Sequence, residues 1–452
     1  MTVLPAHRRH RLSSRTVFNV NLPAPTTLSN GATNDTRRIL VVTTSLPDPP
    51  HWGSAIRVRE LVRGLSKRHR VSLLTYTRPW EAENVQALRA IFESVHTVPA
   101  HWPDGSDRSG RLRSLGSLKP FAVRRMSSPA MQQALDELLR AGDFDLVQIE
   151  SSFLSGLDLS CAKTTVLDEH NIEYELLGRT ARVERKVPRK LFNLVEFTKV
   201  RHTERRAWKR FDGCVVTSDR DLLEVASVVP GRPVATVPNG VDLAAFAPRP
   251  GTPMSGLVFT GLMSYRPNID AVTHFVREIL PLIHRTRPAE TFTIVGWGIP
   301  DEVRALLGPR VIATSSVPDV RPYLAGAAAV VAPIRIGAGT RLKVLEALAM
   351  ARPLISTTLA CEGLDLEPGR DFLVADDPSR FAEAVIRVLE DRSLADRLGA
   401  SGRQVVESRY GWEASAVQLE ALHDRLLASK RPRDNRRSNG QTVSGGLATR
   451  SR

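Results

Sequence analysis

Short apolar runs alternate with stretches of helical periodicity along the first half of the chain. Five runs are predicted to be strands, at residues 38–44, 71–76, 145–150, 165–168 and 213–217. Between the first two, apolar positions recur at helical spacing over residues 55–68. Strands that helices cover on both faces are continuous apolar runs rather than alternating ones. The pattern therefore predicts an α/β protein with a parallel sheet wrapped by helices.

The same alternation begins again near residue 250. Strands are predicted at residues 257–260, 292–295, 311–313, 330–332 and 354–356, after Pro- and Gly-rich segments at 230–233 and 246–253. That composition is typical of an interdomain linker. We predict two doubly wound Rossmann-like domains, 37–245 and 246–408, that face a ligand cleft at the carboxyl ends of their strands. A helix is predicted over residues 409–429, and the chain ends, 1–36 and 430–452, are predicted to be disordered.

Most of the formal net charge of +15 lies in the two ends of the chain. Residues 1–38 carry a net +5 and residues 430–452 a net +6. Basic tails bind an anionic membrane surface or nucleic acid, or only keep a protein soluble. Because the body has no nucleic-acid-binding motif, no nucleic acid partner is expected. Membrane contact through the tails stays open beside the inert alternative.

Composition excludes several classes of protein. Apolar residues make up 42% and charged residues 25% of the chain, as in soluble globular proteins. No apolar run approaches the roughly 18–20 residues that span a bilayer, and no secretory signal is predicted. Cys161, Cys214 and Cys361 lie far apart, without metal-site or disulfide spacing. We expect a cytoplasmic protein, with peripheral attachment to the inner face of the plasma membrane as the open alternative.

Two basic segments lie in the first predicted domain. Residues 179–210 are predicted to be helical, with an apolar stripe of Leu191, Leu194, Val195 and Val200. A helix packed on the sheet with a solvated basic face is favoured over a membrane-surface helix. Residues 108–125 contain six basic residues and are predicted to contact an acceptor or a membrane.

A glycine-rich loop and a helix follow the predicted strand at 330–332. Gly337 and Gly339 allow a tight turn and a close approach of a ligand to the backbone. A helix that starts near Thr340 offers free N–H groups and the positive end of its dipole. The dipole disfavours cations at this end, yet Arg341 and Lys343 lie there. This conflict indicates a bound anion such as phosphate.

Glu346 lies three residues after Lys343 and shares its helix face. The pair places a phosphate-binding cation beside a carboxylate that can accept from ribose hydroxyls. The loop and helix together therefore favour a site for a nucleotide.

Residues 333–353 resemble the nucleotide-sugar half of GT-B glycosyltransferases of the retaining family 4 (glycosyl transferases group 1). The resemblance is to the branch with a Gly-x-Gly-Thr-Arg-x-Lys loop, and it extends over about residues 38–428. Val237-Pro-Asn-Gly-Val-Asp242 resembles the interdomain element of that family. The resemblance implies the GT-B fold, with two Rossmann-like domains and a last helix that crosses back to the first.

The resemblance also implies which residues bind the donor. Arg341 and Lys343 would stabilise the diphosphate, Glu346 would bind ribose, and Val317 lies in the loop expected to meet the nucleobase. The implied donor-binding residues are Gly261, Arg266, Val317, Gly337, Ala338, Gly339, Thr340 and Glu346.

In the first domain, Asp168-Glu-His-Asn171 resembles the histidine loop of the family. The resemblance implies that His170 approaches the transferred sugar and that Asn171 orients the loop. Gly53-Ser-Ala-Ile-Arg57 resembles the glycine loop beside the acceptor and the diphosphate. It implies roles there for Gly53, Ser54 and Arg57.

The chain departs from the family pattern at three positions. Leu262 and Pro267 stand where many members have an Arg and a Lys, and Ala338 replaces the first of two paired glutamates. Arg266, Arg341 and Lys343 are expected to supply the missing cations. The change at Ala338 leaves the contact with the donor sugar open.

The resemblance implies transfer of a hexosyl group from a nucleotide diphosphate sugar to a hydroxyl acceptor, such as a glycolipid or polysaccharide precursor. Retention of configuration is implied, with no metal ion and no other cofactor. A nucleotide-sugar epimerase of the same architecture and a non-catalytic membrane-tethering protein remain alternatives, as does an inactive relative. An NAD-dependent oxidoreductase is disfavoured, because no Gly-x-Gly-x-x-Gly follows a strand.

Overall fold

The computed structural model describes residues 36–430 except 51, 102–107, 185, 250, 253 and 315–316. The first sheet contains β1 (Arg38–Thr43), β2 (Arg70–Thr77), β3 (Ser94–Pro99), β4 (Leu146–Glu150), β5 (Thr165–Glu169), β6 (Gly213–Val216) and β7 (Val234–Thr236). The second contains β8 (Leu257–Thr260), β9 (Phe292–Val295), β10 (Val311–Ala313), β11 (Ala329–Ala332), β12 (Leu354–Ser356) and β13 (Leu373–Val374). The tails predicted at 1–36 and 430–452 lie outside the described residues, apart from residues 36 and 430.

Both sheets are parallel and follow one topology. The strand orders are β3-β2-β1-β4-β5-β6-β7 and β10-β9-β8-β11-β12-β13. In each, the order reverses between two central strands, β1 and β4 or β8 and β11. Ligands of doubly wound domains bind at this switch point, beyond the carboxyl ends of the strands. The predicted fold class is confirmed.

Sixteen α-helices cover the sheets in the described part of the chain. They are α1 (Gly53–Leu65), α2 (Ala82–Leu88), α3 (Arg108–Leu115), α4 (Phe121–Met126), α5 (Pro129–Ala141), α6 (Glu173–Val183), α7 (Val187–Arg210), α8 (Asp219–Val228), α9 (Arg266–His274), α10 (Leu280–Thr286), α11 (Asp301–Arg304), α12 (Arg321–Gly326), α13 (Leu342–Ala349), α14 (Pro378–Glu390), α15 (Arg392–Arg409) and α16 (Trp412–Lys430). Short 3-10 turns lie at Pro79–Glu81, Ser152–Leu154 and Leu359–Cys361, and a π-helical turn, Phe275–Ile279, joins α9 to α10.

The last helix, α16, packs on α1 of the first domain. Its apolar face recurs every three to four residues and buries Trp412, Leu419, Leu422 and Leu426. The two helices approach closely at Gly64, where a Cβ atom would overlap the Cβ of Ala416. The predicted helix that crosses back to the first domain is therefore confirmed.

The long helix α7 does not bury the apolar stripe predicted for it. Val200 is buried, but Leu191, Leu194 and Val195 are exposed. With 24 residues, α7 extends about 36 Å, and only its second half, which buries Ala207 and Trp208, covers the sheet. The predicted packing is wrong for the first half of the helix. No helix in the described ranges is both long and apolar enough to cross a membrane.

Candidate active site

The glycine-rich loop between β11 and α13 lies at the switch point of the second sheet. A Cβ on Gly337 would lie 2.7 Å from Nη2 of Arg341, so glycine leaves the space that this guanidinium fills. Gly339 has a φ of +69°, which glycine adopts without strain. The loop therefore turns back over the start of α13 and encloses Arg341.

Arg341 is the N-cap residue of α13. Its Nη1 and Nη2 atoms are buried, and neither has a hydrogen-bond partner among the described residues. Burial lowers the pKa of this guanidinium. A buried cation without a partner costs several kcal/mol. An anion that accepts hydrogen bonds from both nitrogens would therefore stabilise Arg341 in this position.

Two helices begin beside Arg341. The Cβ position of Gly53, the first residue of α1, lies 3.8 Å from Cδ1 of Leu342, the first residue of α13. Neither N-cap residue, Trp52 nor Arg341, forms a side-chain capping bond. Each helix N-terminus has unpaired N–H groups and a partial positive charge. The two helix ends and the guanidinium together favour an anion with more than one charge.

Lys343 and Glu346 lie one turn apart on α13. The Nζ atom of Lys343 donates to Oδ1 of Asn268 at 2.7 Å and lies 3.9 Å from the ring centroid of Phe259. A Cβ on Gly261 would lie 2.7 Å from the same Nζ. Burial lowers the pKa of Lys343 to about 7 and raises the pKa of Glu346 to about 7. An anion beside Lys343 would hold it in the charged form.

In the first domain, His170 follows β5 and faces Glu150 at the end of β4. Its Nε2 lies 2.7 Å from Oε2 of Glu150, whose Oε1 accepts from Nε2 of Gln148 at 2.6 Å. The Oε1 of Gln148 lies 2.9 Å from Nε2 of His423 on α16. Burial alone would lower the pKa of His170, but the bond to Glu150 and the charge of Asp168 outweigh it and raise the pKa. This chain of bonds fixes the ring and favours its charged form.

Arg57 and Asp168 form a buried ion pair beneath the histidine loop. Nε and Nη2 of Arg57 donate to the two carboxylate oxygens at 3.1 and 3.0 Å. The side chains are 1% and 0% exposed. Nη1 donates to the carbonyl of Val237 at 2.9 Å and to Oδ1 of Asn239 at 3.1 Å. The guanidinium thus ties α1 to the interdomain element.

The carboxylates near His170 have the chemistry of a metal site. Ligand atoms of Glu150, Asp168 and His170 all lie within 4.8 Å of one another. However, both oxygens of Asp168 accept from Arg57, so a metal ion would have to displace that guanidinium. The residues do not fit a metal ion as they are arranged.

A cavity of about 130 Å³ opens beside His170, at the carboxyl ends of β1, β4 and β5. Residues with hydroxyl or carboxylate groups dominate its lining. They are Thr43, Thr44, Ser45, Ser54, Ser151, Glu150 and Glu173. Burial raises the pKa of Glu173 to about 7. This lining offers both donors and acceptors to a ligand that carries hydroxyl groups.

A larger groove of about 680 Å³ lies at the opposite, amino ends of β8, β9, β11 and β12. Arg287, Arg352 and Arg392 contribute to its lining. Doubly wound domains bind ligands at the carboxyl ends of their strands, where Arg341 and the two helix N-termini lie. Size therefore does not identify the site, and the carboxyl edge is the candidate active site.

Comparison with known sequences identifies the family. The pattern of the family described as "Glycosyl transferases group 1" matches residues 255–391, and that of "Glycosyltransferase Family 4" matches residues 53–245. The first match includes the glycine-rich loop, and the second includes the histidine loop. The chain is a glycosyltransferase with a group 1 domain and a family 4 domain.

Relatives of this glycosyltransferase are distant in sequence. A 44.6 kDa protein in the cps region of Klebsiella pneumoniae is 21% identical over 399 residues, which are 82% of this chain and 96% of the relative. Sucrose-phosphate synthase from Thermosynechococcus elongatus has a TM-score of 0.66 at 18% identity, with 87% of this chain and 100% of that one covered. Anabaena Alr3699/HepE in complex with UDP and glucose has a TM-score of 0.61 at 14% identity, with 86% and 100% covered. These likenesses confirm the GT-B fold.

The loops of the two domains touch across the cleft of the enzyme. Arg179 of α6 donates to the carbonyl of Gly337 at 2.7 Å and to both oxygens of Glu362, at 2.6 and 3.1 Å. Nδ2 of Asn239 donates to Oγ1 of Thr340 at 2.8 Å. The structure therefore shows the cleft closed, with the histidine loop against the glycine-rich loop.

Most of the predicted site residues meet at this closed cleft. A Cβ on Gly339 would lie 2.5 Å from the carbonyl oxygen of His170 and closer still to the side chain of Asn171. Ser54 lines the cavity beside His170. The residues brought to the cleft are Gly53, Ser54, His170, Asn171, Gly261, Gly337, Ala338, Gly339, Thr340, Arg341, Lys343 and Glu346.

Three predicted residues are placed differently. All three nitrogens of the Arg57 guanidinium are bound by protein acceptors, and the side chain is 1% exposed. Arg266 begins α9 with its side chain 44% exposed, 3.9 Å from Glu302. Val317 packs against the core of the second domain, next to residues 315–316, which are not described. Ligand contacts of these three residues stay predictions.

Several residues of the cleft have no signal in the sequence. Arg179 and Glu362 are 183 positions apart, and Gln148 and His423 are 275 apart, so no local motif connects them. Asn239 stands in the recognised interdomain element, yet its bond to Thr340 follows only from the closed fold.

Proposed function

We propose that this glycosyltransferase moves a hexosyl group from a nucleotide diphosphate sugar to a hydroxyl acceptor, with retention of configuration and without a metal ion. The observation that carries the proposal is the pair of buried, unpartnered guanidinium nitrogens of Arg341. They lie where the N-termini of α1 and α13 meet. A diphosphate supplies the adjacent negative charges that this arrangement would bind.

The donor diphosphate would lie between α1 and α13. Negative charge grows on the leaving phosphate as the bond to the sugar breaks, and fixed donors aimed at that charge lower the barrier. Arg341, Lys343 and the free N–H groups of the two helix ends are such donors. Glu346, one turn further along α13, would accept from the ribose hydroxyls.

The acceptor would enter the cavity beside His170. Its hydroxyl oxygen forms the new bond to the anomeric carbon as the bond to the diphosphate breaks, and the departing phosphate oxygen takes the hydroxyl proton. The new bond forms on the face that the leaving group vacates, which retains the configuration. His170, charged and held by Glu150, would donate a hydrogen bond to the transferred sugar.

The contacts between the loops serve this reaction. With the histidine loop against Gly339 and with Arg179 bound to Glu362, the space between donor and acceptor is shielded from water. Such closure aligns the reacting groups and limits hydrolysis of the donor.

Two relatives suggest the substrate class. The Klebsiella pneumoniae protein belongs to a cps region, and the Anabaena structure contains UDP and glucose. A polysaccharide or glycolipid precursor is therefore the proposed acceptor, and UDP is the first nucleotide to test.

Thermal unfolding with UDP, GDP, ADP and their hexose conjugates tests the donor site. A ligand at a hundred times its Kd stabilises a protein by about 2.7 kcal/mol, which raises Tm by about 3 °C in a chain of this size. One nucleotide should stabilise the wild type and the exposed control Lys67→Ala, but not Lys343→Ala. If no nucleotide stabilises the wild type, the donor site is wrong.

Release of nucleoside diphosphate on addition of acceptor tests the reaction. Lys343→Ala and Glu346→Ala should abolish release without lowering the Tm of the ligand-free protein. Full activity in both variants would refute the assigned site. Conversion of the donor without acceptor would instead identify an epimerase, and no release from any donor would favour a tethering protein.

A further inference from the structure

Exposed apolar side chains are concentrated in one corner of the first domain. The described residues expose sixteen large apolar side chains, and seven of them belong to α3, the segment before α4 and the first half of α7. Leu112, Leu115 and Leu118 are 72%, 47% and 95% exposed, and Leu191 is 59% exposed. We call this surface, residues 110–126 and 186–195, the α3–α7 platform.

The platform is held together by buried polar contacts. The Glu196 carboxylate accepts from Oγ of Ser114 at 2.8 Å and from the N–H of Phe121 at 2.7 Å. Nζ of Lys199 donates to the carbonyl of Ser114 at 2.7 Å and to Glu196 at 3.1 Å. These bonds join α3 and the start of α4 to α7. The exposed leucines therefore stand on a fixed surface rather than on separate segments.

The charged residues in these two segments are all basic. Residues 110–126 contain five basic and no acidic residues, and residues 186–195 contain three basic and no acidic residues. Two acids lie beside these segments. Glu196 is buried and used within the platform, and Glu184 accepts from the N–H of Lys186 at 2.9 Å. Arg111, Lys119, Arg189 and Lys190 are exposed. The surface therefore combines aliphatic side chains with cations that have no acidic residue among them.

This combination indicates what covers the platform. Aliphatic side chains flanked by Lys and Arg enter the boundary between headgroups and acyl chains, while the cations are attracted to anionic lipids. A second copy of the chain would bring like charges together, which is unfavourable. Nucleic acid would leave the leucines without an apolar partner. Charge and apolarity together fit an anionic bilayer surface.

The platform lies one helix away from the candidate active site. α6 begins at Glu173, three residues after His170, and ends at Val183. Eleven residues of helix extend about 16 Å. α6 packs closely on α7 at Gly178, where a Cβ would lie 3.2 Å from the ring of Phe197. A surface bound to the platform would therefore lie on the acceptor side of the cleft.

We propose that the α3–α7 platform docks on an anionic lipid bilayer and brings the cleft to an acceptor that is anchored in that bilayer. The second half of this statement rests on the proposed glycosyl transfer, but the docking does not. Lipid binding and nucleotide binding are measured separately, so that failure of one is distinguishable from failure of the other.

Sedimentation of the full chain with lipid vesicles tests the docking. The wild type should bind vesicles of phosphatidylcholine with phosphatidylglycerol, should bind pure phosphatidylcholine much more weakly, and should dissociate as salt is raised. The double variant Leu118→Gln/Leu191→Gln should lose at least tenfold in affinity. Arg189→Ser/Lys190→Ser should lose affinity for the anionic vesicles in particular.

Controls separate the platform from other surfaces. Leu223, on α8, is 70% exposed, and Leu223→Gln should bind vesicles as the wild type does. All variants should keep the wild-type Tm and the wild-type stabilisation by nucleotide. Unchanged vesicle binding by both double variants would overturn the proposal and assign the binding to the basic chain ends. A wild type that dimerises through the platform and ignores vesicles would overturn it in favour of a protein interface.

Discussion

Alanine at position 339 would place a methyl group between the two domains. Gly339 has a φ of +69° and lies beneath the histidine loop. A Cβ there would lie 2.5 Å from the carbonyl oxygen of His170, whereas ordinary van der Waals contact is 3.4–4 Å. The Asn171 side chain can rotate away, but the His170 carbonyl belongs to the backbone. One loop must therefore move by about 1 Å, and the simplest relief is a slight opening of the cleft.

A second glycine, Gly369, separates the backbone strain of an alanine at positive φ from the steric clash with the histidine loop. An alanine in the left-handed region costs about 1–2 kcal/mol relative to glycine. Gly369 has a φ of +84° and no atom within 4 Å of its Cβ position. Gly369→Ala therefore has the same strain without the clash, in the same domain. A misplacement of about 1 Å between reacting groups can reduce a rate by about a hundredfold.

The assay compares Gly339→Ala with Gly369→Ala. Chemical denaturation should show that each loses about 1–2 kcal/mol of unfolding free energy. Steady-state kinetics should show that only Gly339→Ala loses about a hundredfold in kcat, while its nucleotide affinity stays close to that of the wild type. Equal kcat values in the two variants would refute the claim that the closed contact between the loops is needed for transfer.

Three further predictions concern titration and stability. Because burial lowers the pKa of Lys343 to about 7, this side chain is mostly neutral at pH 8 and should take up a proton when a diphosphate binds beside it. The affinity for the diphosphate should therefore fall as the pH rises. Calorimetry in two buffers measures the proton uptake, which Lys343→Met should abolish. Glu150→Gln removes the charged partner of His170 and should lower the pKa of that imidazole by about one unit or more, as followed by NMR titration; an unchanged pKa would contradict the pairing. Arg57→Ala leaves Asp168 buried without its partner and should cost about 3–5 kcal/mol of unfolding free energy, most of which Arg57→Met/Asp168→Leu should restore; a single variant as stable as the wild type would show that the pair is not needed for the fold.

The sequence predicts the central strands well and the edges poorly. All ten predicted strands are present, because strands covered on both faces are mostly apolar runs, as residues 39–42 of β1 and 214–216 of β6 are. The three missed strands, β3, β7 and β13, lie at sheet edges. β7 has only three residues, none of them fully buried. Such a segment has no apolar run to recognise.

The same contrast holds in the active site. The glycine-rich loop and the histidine loop are contiguous motifs, and the resemblance identifies both from the sequence. Their contact through Gly339 and the link from Arg179 to Glu362 join distant segments and become visible only in the fold. For Arg57 the motif is misleading. The resemblance implies a ligand contact, but the side chain is buried and its guanidinium pairs with Asp168.

Helix α7 shows where periodicity fails for a physical reason. An apolar stripe at helical spacing normally faces a core. In α7 the helix is longer than the sheet it covers, so the stripe passes from buried Val200 to exposed Leu194 and Leu191. The spacing of apolar residues identifies the apolar face of the helix, but only the fold shows whether another part of the protein packs against it.

The most direct test of the account is Arg341→Leu, measured for both stability and affinity for the nucleotide that stabilises the wild type. Removing a buried, unpartnered cation should leave the ligand-free protein at least as stable as the wild type. Removing two charged hydrogen bonds to the diphosphate should weaken nucleotide binding by about a hundredfold or more. A less stable variant with unchanged affinity would contradict the account, because Arg341 would then support the fold rather than the donor.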